Sequence, residues 1–166
     1  MTANSGASWR GKVGKMSREE IDEFLGGAAL CRLACHDDDG WPHIVPTCFQ
    51  YADGGFYVVA RERSAWARFM TSDARVSLVI DDPVSQQRVS VKGEAKVIEE
   101  PNVGGKWVAV ANDMVRRYLG GIADDYLDSA SHEPRWLFFI TPVSMTTWQG
   151  VDWAAKYKHP AAASAE

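Results

Sequence analysis

The sequence predicts a mainly β domain whose antiparallel strands close, or nearly close, into a barrel. Between residues 30 and 81, four short apolar segments are separated by Asp-Gly turn signals and one short helical stretch. Over residues 88–97, Val89, Val91, Gly93, Ala95 and Val97 alternate with Arg88, Ser90, Lys92, Glu94 and Lys96, so one face is apolar and meets a core. A single helical stretch is inserted late, ahead of the last apolar run. Five or six strands in an open sheet would leave long unpaired edges, which closure removes. A two-sheet sandwich is the second choice.

Each element has a local cause. Ser17-Arg18-Glu19-Glu20 has the capping-box form, Ile21, Phe24 and Leu25 supply an apolar stripe, and Gly26-Gly27 ends this first helix. Residues 30–36 read as a strand, Asp37-Asp38-Asp39-Gly40 as its turn, and 42–51 as a return strand closed by Asp53-Gly54-Gly55. Residues 56–60 make the third strand, 64–71 a short helix, and 75–81 the fourth strand, bounded by Pro83. The alternating run 88–97 is the fifth. After Pro101, the spacing of Trp107, Val110, Met114, Val115, Tyr118 and Leu119 predicts a helix packed on the sheet and stopped by Gly120-Gly121. A second helical piece covers 124–129. Residues 136–141 form the sixth strand, interrupted at Pro142 and resumed through 143–148.

The chain of 166 residues supports one core and one domain of ordinary size. That domain spans 16–153, with a polar flexible arm over 1–15 and an Ala-rich flexible tail over 154–166. Lys plus Arg number 18 against 22 Asp plus Glu, a net charge of -4. No global positive field is available for nucleic acid or an anionic membrane, so any anion site is local. The three cysteines, Cys31, Cys35 and Cys48, are odd in number and form no Cys-x-x-Cys pair, which argues against a disulfide framework and fits a reducing cytoplasm. No segment approaches the ~18 apolar residues of a membrane span, and residues 1–15 lack the apolar core of a secretory leader.

Several groups invite a functional reading beside a plain one. The stretch Arg61-Glu62-Arg63-Ser64, with Arg68, is either a solvated turn and helix start or a cationic, hydroxyl-bearing seat for a phosphorylated ligand. Asp37 to Gly40 lacks the downstream ligands of a calcium loop and reads as a hairpin turn. Cys31, Cys35, His36 and His43 flank one hairpin, yet strand alternation puts His36 opposite the two thiols, so no metal site is expected. His43 is a substrate or ring contact, or a structural histidine. Of the seven tryptophans, Trp107 and Trp136 read as core, while Trp148 and Trp153 sit where the chain leaves the barrel, at an interface or pocket. No nucleophile-elbow Gly-x-Ser-x-Gly supports a hydrolase.

The linear order of motifs carries a resemblance. It runs from Met16-Ser17-Arg18-Glu19-Glu20-Ile21 through Asp38-Asp39-Gly40-Trp41-Pro42-His43 and Val45-Pro46-Thr47-Cys48-Phe49 to Val58-Val59-Ala60-Arg61 with Ser64. Ala74-Arg75-Val76-Ser77-Leu78, Val89-Ser90-Val91-Lys92-Gly93-Glu94-Ala95, and Ile140-Thr141-Pro142 with Trp148 follow. Together with Arg116-Arg117-Tyr118-Leu119-Gly120 in the insert, this order resembles the FMN-binding split-barrel family related to pyridoxamine 5'-phosphate oxidase, in its flavin and deazaflavin oxidoreductase branch. The resemblance covers about residues 16–150. It implies a six-stranded antiparallel split barrel of Greek-key type that forms a homodimer, with FMN or a deazaflavin coenzyme in a groove between protomers. It places the coenzyme phosphate at the end of the third strand and the start of the next helix, here Ala60, Arg61, Ser64 and Trp66. The ring lies beside Pro46, Thr47, Cys48 and Phe49, and Trp148 approaches on the last strand, often from the other subunit.

Trp66 stands where many relatives of that family have a lysine, so one charged phosphate donor is missing, and Arg61, Arg63 and Arg68 are the nearby substitutes. The function expected is a flavin- or deazaflavin-dependent oxidoreductase that passes hydride to or from a small conjugated or aromatic substrate, with no catalytic residue identified. The alternative is a non-catalytic carrier for flavin, haem or another planar ligand.

Overall fold

The computed structural model describes residues 12–152 and Tyr157. In chain order the elements are α1 (Arg18–Gly26), β1 (Cys31–His36), β2 (Pro42–Thr47), β3 (Gln50–Ala52), β4 (Gly55–Arg61), α2 (Ala65–Ser72), β5 (Arg75–Asp82), β6 (Gln87–Asn102), α3 (Trp107–Leu119), a 3-10 turn (Gly120–Ile122), α4 (Ala123–Ala130) and β7 (Arg135–Gln149). All strand pairs are antiparallel, in the order β2-β1-β5-β6-β7-β4-β3.

The two ends of that order belong to one stretch of chain. Only Cys48 and Phe49 separate β2 from β3, so Thr47 and Gln50 lie at most ~11 Å apart along extended backbone. A flat seven-stranded sheet would hold its outer strands far beyond that reach, at about 4.8 Å per strand. The sheet is therefore curled into a barrel, and Cys48-Phe49 is the seam where it is split. This corrects the six strands expected from the sequence to seven. The run 42–51 cannot remain one strand, because its first part pairs with β1 and its last part with β4.

The last strand also differs from expectation. Pro142 does not interrupt β7, because the register steps from Lys92↔Ser144 to Gly93↔Pro142 and leaves Val143 as the extra residue of a bulge. A bulge tolerates a residue with no N–H to donate. Turn chemistry follows the sequence: Asp53 and Gly54 both have positive φ, 54° and 75°, and form the two-residue loop of the β3–β4 hairpin. The capping box of α1 is complete, with the Ser17 hydroxyl accepting from the Glu20 amide and the Glu20 carboxylate accepting from the Ser17 amide.

The barrel interior is filled by alternate residues of every long strand, among them Leu33, Phe56, Val58, Leu78, Ile80, Val89, Phe138 and Ile140, with Phe49 entering from the seam. Burial of each contributes about 1.5–3 kcal/mol relative to exposure. A second, smaller cluster lies outside the barrel, where Trp107 and Ala111 of α3 cover Leu137 of β7, with Tyr57 and Val59 of β4 beside them. The helical insert is thus a cover over the outer face of β4 and β7.

Of the expected arm, residues 12–15 are described. Gly14 makes paired backbone hydrogen bonds with Gln149, at 3.0 and 2.8 Å, and the rest of the arm lies outside the described residues. The tail over 154–166, Tyr157 apart, and Trp153 also lie outside them.

Candidate functional site

The insert does not seal the surface it covers. Between α3, α4, the seam and the outer face of β4 lies a cavity of about 640 Å³, a volume in the range that holds a drug-sized ligand. Pro46, Thr47 and Cys48 form one wall, and Val59 and Arg135 the floor. Trp107, Ala111, Met114 and Leu127 of the insert form the roof. The lining is mainly apolar, with Arg135 its cation and Asp128 its carboxylate. No helix among the described residues is long and apolar enough to cross a membrane.

The seam is held from the insert. Arg117 of α3 donates a hydrogen bond from Nη2 to the Phe49 carbonyl, and its guanidinium lies 5.7 Å from the Phe49 ring and 5.2 Å from the Tyr118 ring. Tyr118 donates its hydroxyl to the Ala29 carbonyl at 2.8 Å, and burial pushes its phenol up to about 12. These bonds satisfy backbone carbonyls that no strand partner can reach at the split. The Thr47 hydroxyl donates to the Cys48 carbonyl at 3.1 Å, and Cys48 is half-buried, its thiol pushed up by burial and only partly offset by Arg117. A thiol so placed stays protonated at neutral pH and acts as an apolar wall, not a nucleophile.

The expected site residues divide into three places. Pro46, Thr47 and Cys48 line the cavity, while Phe49 and Ala60 are buried with their side chains in the barrel core. Arg61 and Ser64 lie at the end of β4 and the start of α2: Arg61 is exposed, and Ser64 precedes α2 without capping it through its hydroxyl. Trp66 is half-buried against the core, so it fills space rather than standing open as a cation would. Trp148 sits at the far end of the 15-residue β7 from Arg135, opposite Arg88, and donates its indole N–H to the Asp152 carbonyl at 3.0 Å.

Of the substitute cations, Arg68 is engaged by Asp38 through two hydrogen bonds of 2.8 and 2.7 Å, which hold the Asp38 carboxyl below its usual range. His43 packs edge-on against Phe69 at 5.3 Å and does not line the cavity. Cys31 and Cys35 face the core, and His36 points away to Asp73 at 3.3 Å, so the four residues of that hairpin do not converge.

The sequence reading missed Arg135. It lies directly opposite Arg61 in the β4–β7 register, and Glu133 reaches both: its Oε2 is 3.8 Å from Arg61 Nε and 3.5 Å from Arg135 Nη2. Arg135 is 7% exposed, its guanidinium is 6.0 Å from the Trp107 ring, and its Nε has no hydrogen-bond partner among the described residues. The only sequence signal was a charge at an outward-facing position of β7, in phase with Leu137 and Phe139. A mainly apolar cavity with a buried guanidinium on its floor fits a mostly apolar molecule that carries an anionic group.

The family profile described as pyridoxamine 5'-phosphate oxidase matches residues 17–149, from the cap of α1 to the end of β7. The chain belongs to that family. Among solved structures, a FAD-binding protein from Mesorhizobium loti is similar at 21% identity and TM-score 0.59, over 85% of this chain and 98% of that one. HutZ, a heme storage protein from Vibrio cholerae, is similar at 21% identity and TM-score 0.59, over 79% and 94%. An F420 reductase is similar at 18% identity and TM-score 0.60, over 75% and 94%. At these identities the family's neighbours share the fold; their ligands are their own. No curated protein matches the sequence.

Proposed function

We propose that this chain is a flavin- or deazaflavin-dependent oxidoreductase acting on a small conjugated or aromatic substrate. The observation that carries the reading is the cavity itself, because the seam residues Pro46, Thr47 and Cys48 and the buried cation Arg135 line one mainly apolar space, and Arg61 at the end of β4 is the register partner of Arg135. Family membership and the FAD-binding and F420 reductase neighbours support it.

A bound flavin or deazaflavin supplies hydride exchange at its ring. The chain's own residues bind and orient. Arg61, Ser64 and the first amides of α2 hold the phosphate-bearing tail, where a charge-assisted bond and the helix N-terminus both favour an anion. Backbone groups at Thr47 and Cys48 meet the ring edge, and Trp107, Ala111 and Met114 of the insert exclude water from the opposite side. Trp148, remote from the cavity on its own chain, belongs to the site of a second protomer in a homodimer. Exposed Ile44 of β2 and Trp41 just before that strand, at 65% and 71%, give this end of the sheet apolar surface consistent with self-association.

The test is titration of the purified protein with FMN, the deazaflavin coenzyme F420 and haem, followed by absorbance and tryptophan fluorescence. Reduction of any bound coenzyme is then coupled to an enone or dye. Saturable binding of FMN or F420 with turnover is expected, and light scattering on a sizing column should give twice the monomer mass. Binding of haem or flavin without turnover would replace the enzyme by a carrier, as the heme storage neighbour suggests. Among the described residues, no histidine lines the cavity.

A further inference from the structure

We infer that Arg135 is the buried anchor for the anionic group of the ligand that fills the cavity beneath the insert, with Arg61 as its outer partner and Glu133 as an internal stand-in for that group. The anion position is marked by Glu133 Oε2, which both guanidiniums approach, at 3.8 Å from Arg61 and 3.5 Å from Arg135. Both contacts are long for charge-assisted bonds, which form at about 2.7–2.9 Å. The Glu133 side chain is 55% exposed and lies in the connector between α4 and β7, so it is held loosely and is replaceable.

The Arg135 side chain, by contrast, is only 9% exposed. A guanidinium carries five N–H donors, and here it has one marginal hydrogen bond and a buried Nε without a partner among the described residues. Burial of a charge so poorly paired is unfavourable unless an anion completes it. The neighbouring arginine adds like-charge repulsion, which the same anion relieves. The Trp107 ring and Val59 next to Arg135 give the ligand an apolar body.

The ligand chemistry is an anionic oxygen group on an apolar body. Two sources present it: the phosphate of the coenzyme, or a carboxylate on the substrate. Which of them applies rests on the function proposed above, whereas the anion site does not.

Isothermal titration of the full chain with two matched pairs, FMN with riboflavin and 2-naphthoate with 2-naphthamide, tests the inference. At least one anion should bind more tightly than its neutral twin. Arg135→Met should weaken that anion roughly 10- to 100-fold while changing the neutral twin less than about threefold. Glu133→Gln should tighten anion binding about two- to fivefold by removing the internal competitor. A preference confined to the FMN pair assigns the anion to the coenzyme, and one confined to the naphthoate pair assigns it to the substrate.

No preference within either pair overturns the inference, as does a preference that survives Arg135→Met in a protein with unchanged circular dichroism. Should Arg135→Met not fold, Glu133→Gln decides alone, and unchanged or weaker anion binding overturns the inference. The naphthoate pair needs no coenzyme. Its result therefore stands or falls separately from the binding of FMN or F420.

Discussion

Arg117 of the insert hydrogen-bonds the backbone carbonyl of Phe49 at the split of the barrel. One charged side chain thereby joins the cover to the seam, and the cavity lies between them. Replacing it with methionine keeps most of the apolar stem but removes the donor. The expected loss is about 1.5–3 kcal/mol, the range for a hydrogen bond from a charged group, read from urea unfolding. A variant as stable as the parent would show that the seam needs no support from α3.

Cys48 should be the first of the three cysteines to react with a thiol reagent. It is half-buried at the cavity wall, while Cys31 and Cys35 are buried and the Cys31 thiol is pushed up to about 12 by burial. All three thiols are shifted upward, so labelling is slow at neutral pH and accelerates as pH rises. A ligand in the cavity should slow Cys48 alone. Mass mapping of the labelled peptides checks the order, and labelling of Cys31 ahead of Cys48 would contradict the placement of the cavity.

Acid should weaken the N-terminal end of the fold. Hydrogen bonds from Lys12, from the Ser17 amide and from Gln149 hold the Glu20 carboxyl down at about 2. Its folded value lies below that of an unfolded glutamate, so the unfolded state takes up the proton first and stability rises with pH across the window. The contribution is present above about pH 4.5 and is lost as pH falls towards 2. The melting temperature of Glu20→Gln, compared with the parent from pH 5 to 2, should therefore fall less steeply; parallel curves would dismiss the capping box as the titrating element.

Gly93 sits beside the β7 bulge. A Cβ there would meet Ile140 Cγ2 at 2.8 Å and the Thr141 carbonyl at 2.9 Å. Gly93→Val should cost about 1–3 kcal/mol through overpacking, measured by urea unfolding. An unchanged midpoint would mean that the bulge relaxes freely.

Local chemistry made much of this fold legible in the chain alone. The capping box at Ser17, the Asp53-Gly54 hairpin, the alternation from Val89 to Val97 and the apolar face of α3 each arise from neighbours within a few residues, and each appears where it was expected. The strand count was less legible, because residues 42–51 form one apolar run whose break at Cys48-Phe49 is imposed by which strands lie on either side. Pro142 misled for a similar reason: a missing N–H ends a strand only where the partner strand demands one, and the bulge removes that demand.

What the sequence determined by itself was the set of strands and turns, the apolar faces that make a barrel, and a local basic corner at Arg61 in an otherwise acidic chain. The tertiary structure alone decided that β2 and β3 meet at a seam, that the insert roofs a cavity there, and that Arg135 stands beside Arg61. Periodicity and turn chemistry act over a few residues and leave their mark on any short window. Strand register and the burial of one guanidinium depend on partners some seventy positions away, and no local pattern records them.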